Sequence, residues 1–270
     1  MFHRIKYILI LFCLTSLWAC QKEIQLDYKD AAPKYVIEAT LTNSETSVYI
    51  SKTVDMDATT VTSDISQATV VITDENGNRY DIPYKGEGYY KSDLIGNPDI
   101  TYHIDVTLDG QHYTSTSTMQ REPQLTNIRF IWKEVLSQRN VYAEVRIQDT
   151  PNQENYYYIQ VLRNGSPYRW IVFNDESNPN KELKQLIALD ERGSSAEVQE
   201  GDIISFHVRA VDRNAYDYLY SMQRMSDTGT NPISNFTGGC LGYFTAYYQT
   251  GIAYVYREAY VEEEDDYKKE

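Results

Sequence analysis

His103 and His112 flank an Asp109-Gly110 turn. On facing strands these two histidines and Asp105 would offer nitrogen and oxygen ligands to a transition metal. No dedicated metal spacing links the three, so solvent-facing strand residues and no metal are expected. Cys240 and His207 are the residues a thiolate nucleophile and its base would need. No local motif marks either, and a lone half-buried cysteine is expected to be inert. Asp74, Asn76 and Asn78 around Gly77 offer oxygens as a calcium loop does. They lack the closing glutamate, and a hairpin turn accounts for them. Acidic pairs such as Asp190-Glu191 suit the acid and base of a hydrolase, but such a pair is defined by distance in space, not in sequence. The chain has no P-loop, dinucleotide-binding fingerprint, nucleophile elbow or zincin helix. The expectation is no catalytic residue, no cofactor and a non-enzymatic role, with an acid-dependent hydrolase as the last alternative.

Cys20 has a chemistry that its surroundings dictate. Met1 to Lys6 is a basic stretch, Tyr7 to Trp18 is apolar, and Leu17-Trp18-Ala19-Cys20 puts a small residue before the cysteine. That layout is a lipoprotein signal: residues 1–19 are removed and Cys20 carries lipid. The apolar run is too short to span a bilayer, and no other segment approaches transmembrane length. Residues 20–32 are polar and read as a tether. Gln21-Lys22-Glu23 resembles the short Lys-plus-acid signals that send Bacteroidetes-type lipoproteins to the outer face of the outer membrane.

The whole chain carries a net charge of −14. The removed segment holds Arg4 and Lys6 and no acid, so the remainder is more acidic still. Such a body repels nucleic-acid phosphate and anionic lipid, which leaves covalent lipid as the membrane contact. Cys13 leaves with the signal and Cys20 is lipidated, so Cys240 has no disulfide partner and the fold needs an apolar core. Tyrosine is over-represented, with 25 residues against 7 Phe and 3 Trp. That composition suits strands packed through rings whose hydroxyls reach water.

The apolar period is two almost throughout, as strands require. Lys34–Leu41, Thr46–Thr53, Ala68–Thr73, Asn78–Tyr84, Gly88–Lys91, Ile100–Leu108 and Gln111–Thr118 read as strands of a first β-sandwich at 33–120. These strands are expected to close a core alone. Asn76-Gly77 and Asp109-Gly110 are hairpin turns, because both positions tolerate positive φ. Arg121-Glu122-Pro123 reads as a linker to a second sandwich at 121–261. Its strands are Leu125–Trp132, Val141–Gln148, Tyr156–Arg163, Tyr168–Phe173, Asp202–Val211, Tyr243–Gln249 and Ile252–Glu258. Residues 174–182 read as a polar loop. Ala215, Tyr218, Leu219, Met222 and Met225 follow helical spacing, which predicts one helix over 214–225. Residues 262–270 read as a solvated acidic tail. The fold class is therefore all-β: two immunoglobulin- or transthyretin-like sandwiches, the second with a short helix.

Four stretches carry a family resemblance: CQKEIQLD after the signal, PKYVIEATLT, the ATVVITDENGNRY to TYHIDVTLDGQHYTSTSTM run, and AYDYLYSM with NPISNFTGGCLGYFTAYY. On these the chain resembles an uncharacterised family of Bacteroidetes outer-membrane lipoproteins, domain-of-unknown-function family 4249. Its members are commonly encoded beside TonB-dependent transporters. The resemblance implies an accessory or binding part in uptake and implies no reaction. An adhesin or fimbrial-type subunit is the alternative. Asn235, Gly238, Gly239, Tyr243 and Phe244 form the candidate interaction segment. Glycines there would let another surface approach, and the rings would serve either as an interface or as core beneath the helix.

Overall fold

The computed structural model describes residues 32–54, 64–176, 181–189, 197–225 and 230–264. Cys20, Gln21, Lys22, Glu23 and Asp190-Glu191 lie outside them, as does the tail beyond residue 264. The first half runs β1 (Tyr35–Thr42), β2 (Thr46–Lys52), β3 (Thr69–Asp74), β4 (Arg79–Asp81), β5 (Tyr84–Gly86), β6 (Tyr89–Ser92), β7 (Thr101–Leu108) and β8 (Gln111–Thr118). The second runs β9 (Gln124–Val135), β10 (Gln138–Gln148), β11 (Tyr156–Arg163), β12 (Ser166–Asn174), β13 (Glu182–Ala188), β14 (Ile203–Val211), α1 (Arg213–Gln223), β15 (Leu241–Val255) and β16 (Glu262–Glu263). Among the described residues the fold is all-β and sandwich-like, with one α-helix. Among the described residues no helix is long and apolar enough to cross a membrane.

Three sheets hold these strands. A long sheet has the order β12-β11-β14-β15-β1-β2-β6-β5, and two four-stranded sheets have the orders β13-β10-β9-β16 and β4-β3-β7-β8. The strand that joins everything is β15. Its first half pairs in parallel with β1, from Val36 opposite Leu241 to Thr42 opposite Tyr247. Its second half pairs antiparallel with β14, from Ala210 opposite Tyr248 to Ile203 opposite Val255. Fifteen extended residues span roughly 50 Å, so β15 passes through both cores. Side chains alternate along a strand, and the even-numbered ones of β15 face one side. Phe244 and Ala246 enter a first core with Ile37, Leu41, Ile72 and Ile104. Tyr254 enters a second core with Phe130, Ile159 and Phe206. The two small sheets therefore lie side by side on one face of the long sheet, and α1 packs on the other.

Four expectations change. The strands expected at Tyr243–Gln249 and Ile252–Glu258 merge into one that ends at Val255, because Gly251 pairs opposite His207 as an ordinary strand residue. β13 was not expected: Glu182–Ala188 is built mostly of helix-favouring residues, and only pairing with β10 makes it a strand. The acidic tail begins later than 262, since Glu262 and Glu263 pair in parallel with Ile131 and Trp132 of β9. The division between 33–120 and 121–261 separates the sequence but not the cores, because Phe236, Cys240, Phe244 and Ala246 belong to the first. Pro33–Glu270 is a single compact unit.

Helix α1 lies within two residues of its expected span. Asp212 caps it, its Oδ1 accepting from the Ala215 amide at 2.9 Å. Ala215, Tyr218 and Leu219 are buried beneath it, as the spacing predicts.

Candidate functional site

After α1 the chain follows the edge of β8. The Thr237 amide donates to the Thr114 carbonyl at 2.8 Å, and the two threonine hydroxyls are 2.6 Å apart. Gln111 Nε2 donates to the Gly238 carbonyl at 2.6 Å. The Asn235 side chain stands in for a strand neighbour of β15: its Nδ2 donates to the Phe244 carbonyl, and the Phe244 amide donates to its Oδ1, both at 2.8 Å. The loop thereby satisfies backbone groups that would otherwise stay unpaired in the interior.

The glycines are explained by backbone approach. Gly238 has φ +88°, and a Cβ there would press on the His112 carbonyl. Gly242 has φ +103°, and a Cβ would overlap the Ile37 carbonyl of β1. Gly239 has φ +86° with open space around it. Phe244 is fully buried in the first core. Tyr243 points the other way and stacks on Tyr218 of α1, centroids 4.5 Å apart at 18°. Of the candidate segment, Asn235, Gly238 and Phe244 therefore close the first core, and Tyr243 joins the aromatic layer outside it.

Asp212 locks this layer to the rest. Beyond capping α1, its Oδ2 accepts from Ser117 Oγ at 2.6 Å and from the Thr118 amide at 2.9 Å. Burial pushes its pKa up, against the pull of these hydrogen bonds. On the outward side of α1, Tyr216 and Tyr220 stack at 5.5 Å and 20°, and Tyr156 lies 4.8 Å from Tyr216. With Val172, Phe173, Glu176 and Lys184, Tyr216 and Tyr220 line an open groove of about 490 Å³. That size and that mixture of rings with a few polar groups suit a small ligand or a partner side chain. The i, i+4 spacing of Tyr216 and Tyr220 was visible in the sequence; the strands opposite them were not.

A family model described as Domain of unknown function (DUF4249) matches residues 21–252. The chain belongs to that family. No curated protein matches it. The DUF4249 match takes in the first core, α1, the groove and all of the second core but Tyr254, Tyr256 and Val261.

Elsewhere in this DUF4249 chain the other candidate groups are held apart. His103 lies opposite Thr116 and His112 opposite Thr107, four strand positions apart or roughly 13 Å. His112 pairs with Asp105 at 3.0 Å. Among the described residues no three His, Cys, Asp or Glu side chains converge on a point. Cys240 is buried in the first core, and burial raises its thiol pKa to about 11. His207 lies opposite Gly251, eleven residues beyond Cys240 in the chain, so the two cannot meet. Asp74 anchors the expected hairpin, accepting from the Asn76 and Asn78 amides at 3.0 and 2.9 Å.

Among the described residues, the carboxylate held furthest below its ordinary pKa was not visible in the sequence. Glu144 alternates outward on β10 yet has no exposed surface. Arg129, Arg146 and Lys184 cover it, at 2.9, 2.7 and 2.8 Å. Burial pushes its pKa up, but hydrogen bonds from these three cations outweigh that and hold it at about 2. Arg129 also pairs with Glu262 and Arg146 with Glu182, so the groups form one structural network.

Proposed function

We propose that this protein is a surface-anchored lipoprotein of the outer membrane, held by lipid on Cys20, exported through Gln21-Lys22-Glu23, and acting as a non-enzymatic accessory or binding part of a TonB-dependent uptake system. The observation that carries the binding role is the groove beside α1. Stacked Tyr216 and Tyr220 present flat apolar area at little entropic cost, on a body held rigid by the shared strand β15. Cys20→Ser removes the acylation site, so mass spectrometry of the variant should find no lipid and an uncleaved signal. Lipid on that variant sinks the anchoring part. The lipidated protein purified from its native membrane should bring a transporter with it, and Tyr216→Ala with Tyr220→Ala should weaken that association while the fold persists. Loss of neither the partner nor a ligand in the double variant removes the groove from the reading.

A second reading, a fimbrial-type structural subunit, is favoured by one feature. Thr250–Val255 pairs with β14 on one side and, among the described residues, has no strand on the other. An uncharged open edge is a template for strand addition. Polymers in the native preparation, in place of a transporter, would select this reading.

A further inference from the structure

One row of side chains crosses the outer face of the long sheet at a single level. Tyr243 on β15 lies opposite Glu38 on β1, Glu38 opposite Tyr49 on β2, and Tyr49 opposite Tyr89 on β6. Adjacent strands are about 4.8 Å apart, so a tyrosine flanks the Glu38 carboxylate on either side within side-chain reach. Both rings are held in place. Tyr243 stacks on Tyr218, and Tyr49 packs on Tyr89 with centroids 4.6 Å apart. Glu38 is exposed and forms no hydrogen bond or ion pair with any described residue. Thr245, the next outward residue after Tyr243, has a buried hydroxyl that is also without a partner. A carboxylate only accepts hydrogen bonds when ionised, and a ring face is electronegative. The row therefore concentrates negative potential, and among the described residues no cation pairs with Glu38.

The same face of the same sheet shows the complete arrangement. Arg209 on β14 lies between Tyr158 and Tyr247, 4.8 and 5.1 Å from their ring centroids. Its guanidinium donates to Gln249 Oε1 at 2.8 Å and to Gln160 Oε1 at 2.9 Å. Two tyrosines and side-chain oxygens thus hold a guanidinium there. At the far end of the Glu38 row, Lys91 sits 5.1 Å over the Tyr89 ring, which shows that these rings attract a cation. Around Glu38 the rings and an oxygen acceptor recur, and the guanidinium does not.

We propose that the Tyr243–Glu38–Tyr49 row binds a small organic cation bearing a guanidinium group. A planar guanidinium stacks on rings and presents a fork that matches a carboxylate, which a compact ammonium does not. The overall acidity of the chain draws cations toward the face. This site is distinct from the groove beside α1, and the proposal stands whether or not the chain is lipid-anchored.

The test uses the full-length protein and ethylguanidinium as probe, with ethylurea as its neutral isostere and methyl glucoside as a sugar. Binding is followed by ligand-observed saturation transfer and by calorimetry. Ethylguanidinium should bind saturably, and ethylurea at least about tenfold more weakly. Glu38→Gln should weaken the cation about tenfold with an unchanged melt, because Glu38 makes no contact that folding uses. Tyr49→Ala should weaken it about threefold through the lost ring face, and it carries the same test should Glu38→Gln fail to fold. No saturable binding, equal binding of ethylurea, preference for the glucoside, or indifference to Glu38→Gln would each overturn the proposal.

Discussion

The second core is built from residues 125–210, completed by Tyr254, Tyr256 and Val261 where the chain runs off β15. The first core holds residues 37–119 and then takes Phe236, Cys240, Phe244 and Ala246 from the far end of the chain. Its central pairing, β1 with β15, joins residues roughly 200 positions apart. The second core is closed mainly by neighbouring hairpins, and the first waits for a parallel strand whose loop closure is entropically costly. Two regions with the same local pattern thus differ in whether they are complete before the chain ends. Autonomy of a sandwich cannot be judged from its strand count when a strand is shared.

The largest expected effect breaks the comparison outright. A fragment of residues 33–120 lacks β15, and circular dichroism should show no cooperative melt, because β1 is left with an open edge and the core with missing side chains. A cooperative melt would show that the first core is autonomous after all. Gly242→Val in the full chain should act in the same direction, since its Cβ would overlap the Ile37 carbonyl at a φ that valine disfavours.

Phe244→Ala sharpens the difference. Removing a fully buried phenylalanine costs about 3–5 kcal/mol, which lowers the melt by roughly 10 °C in a unit of this size. Amide exchange should rise more in β1 and β2 than in β10 and β11. A uniform rise would mean that the two cores unfold as one.

Glu144→Gln probes the second region. Its folded pKa of about 2 lies below the ordinary 4.5, so its contribution is present above about pH 4.5 and is lost as pH falls toward 2. That contribution is about 3 kcal/mol. Glu144→Gln should lower stability near neutral pH by a similar amount and flatten the fall between pH 4.5 and 2. A steep acid transition in the variant would move the acid sensitivity to other carboxylates.

The smallest effect is at the β9–β10 turn. Leu136 and Ser137 have φ of 51° and 60°, and Leu136 is 93% exposed. Asn and Gly accept that geometry with less strain. Leu136→Asn with Ser137→Gly should raise second-core stability by about 1 kcal/mol and leave first-core exchange unchanged.

Strand positions were legible wherever alternation was clean, as in Thr101–Leu108, where Tyr102, Ile104, Val106 and Leu108 all turn inward. The hairpins at Gly77 and Gly110 were legible from turn residues, and α1 from helical spacing. Glu182–Ala188 was not, because its residues favour helix and its partner strand supplies the strand geometry. The candidate segment at 235–244 was found by its glycines and rings. Whether those rings faced a partner or a core depended on β1, which lies far away in the chain.

What the sequence determined alone is local: period-two alternation, turns that need positive φ, and the spacing of one helix. These follow from sterics and from which face of a short segment is apolar. Tertiary structure alone decided that β15 serves both cores, that Phe244 turns inward while Tyr243 turns outward, and that Glu144 lies buried under three cations. It also placed Glu38 between two tyrosines. Each of these is a meeting of strands distant in sequence, and cross-strand register is set by the packing of the whole sheet rather than by any one segment.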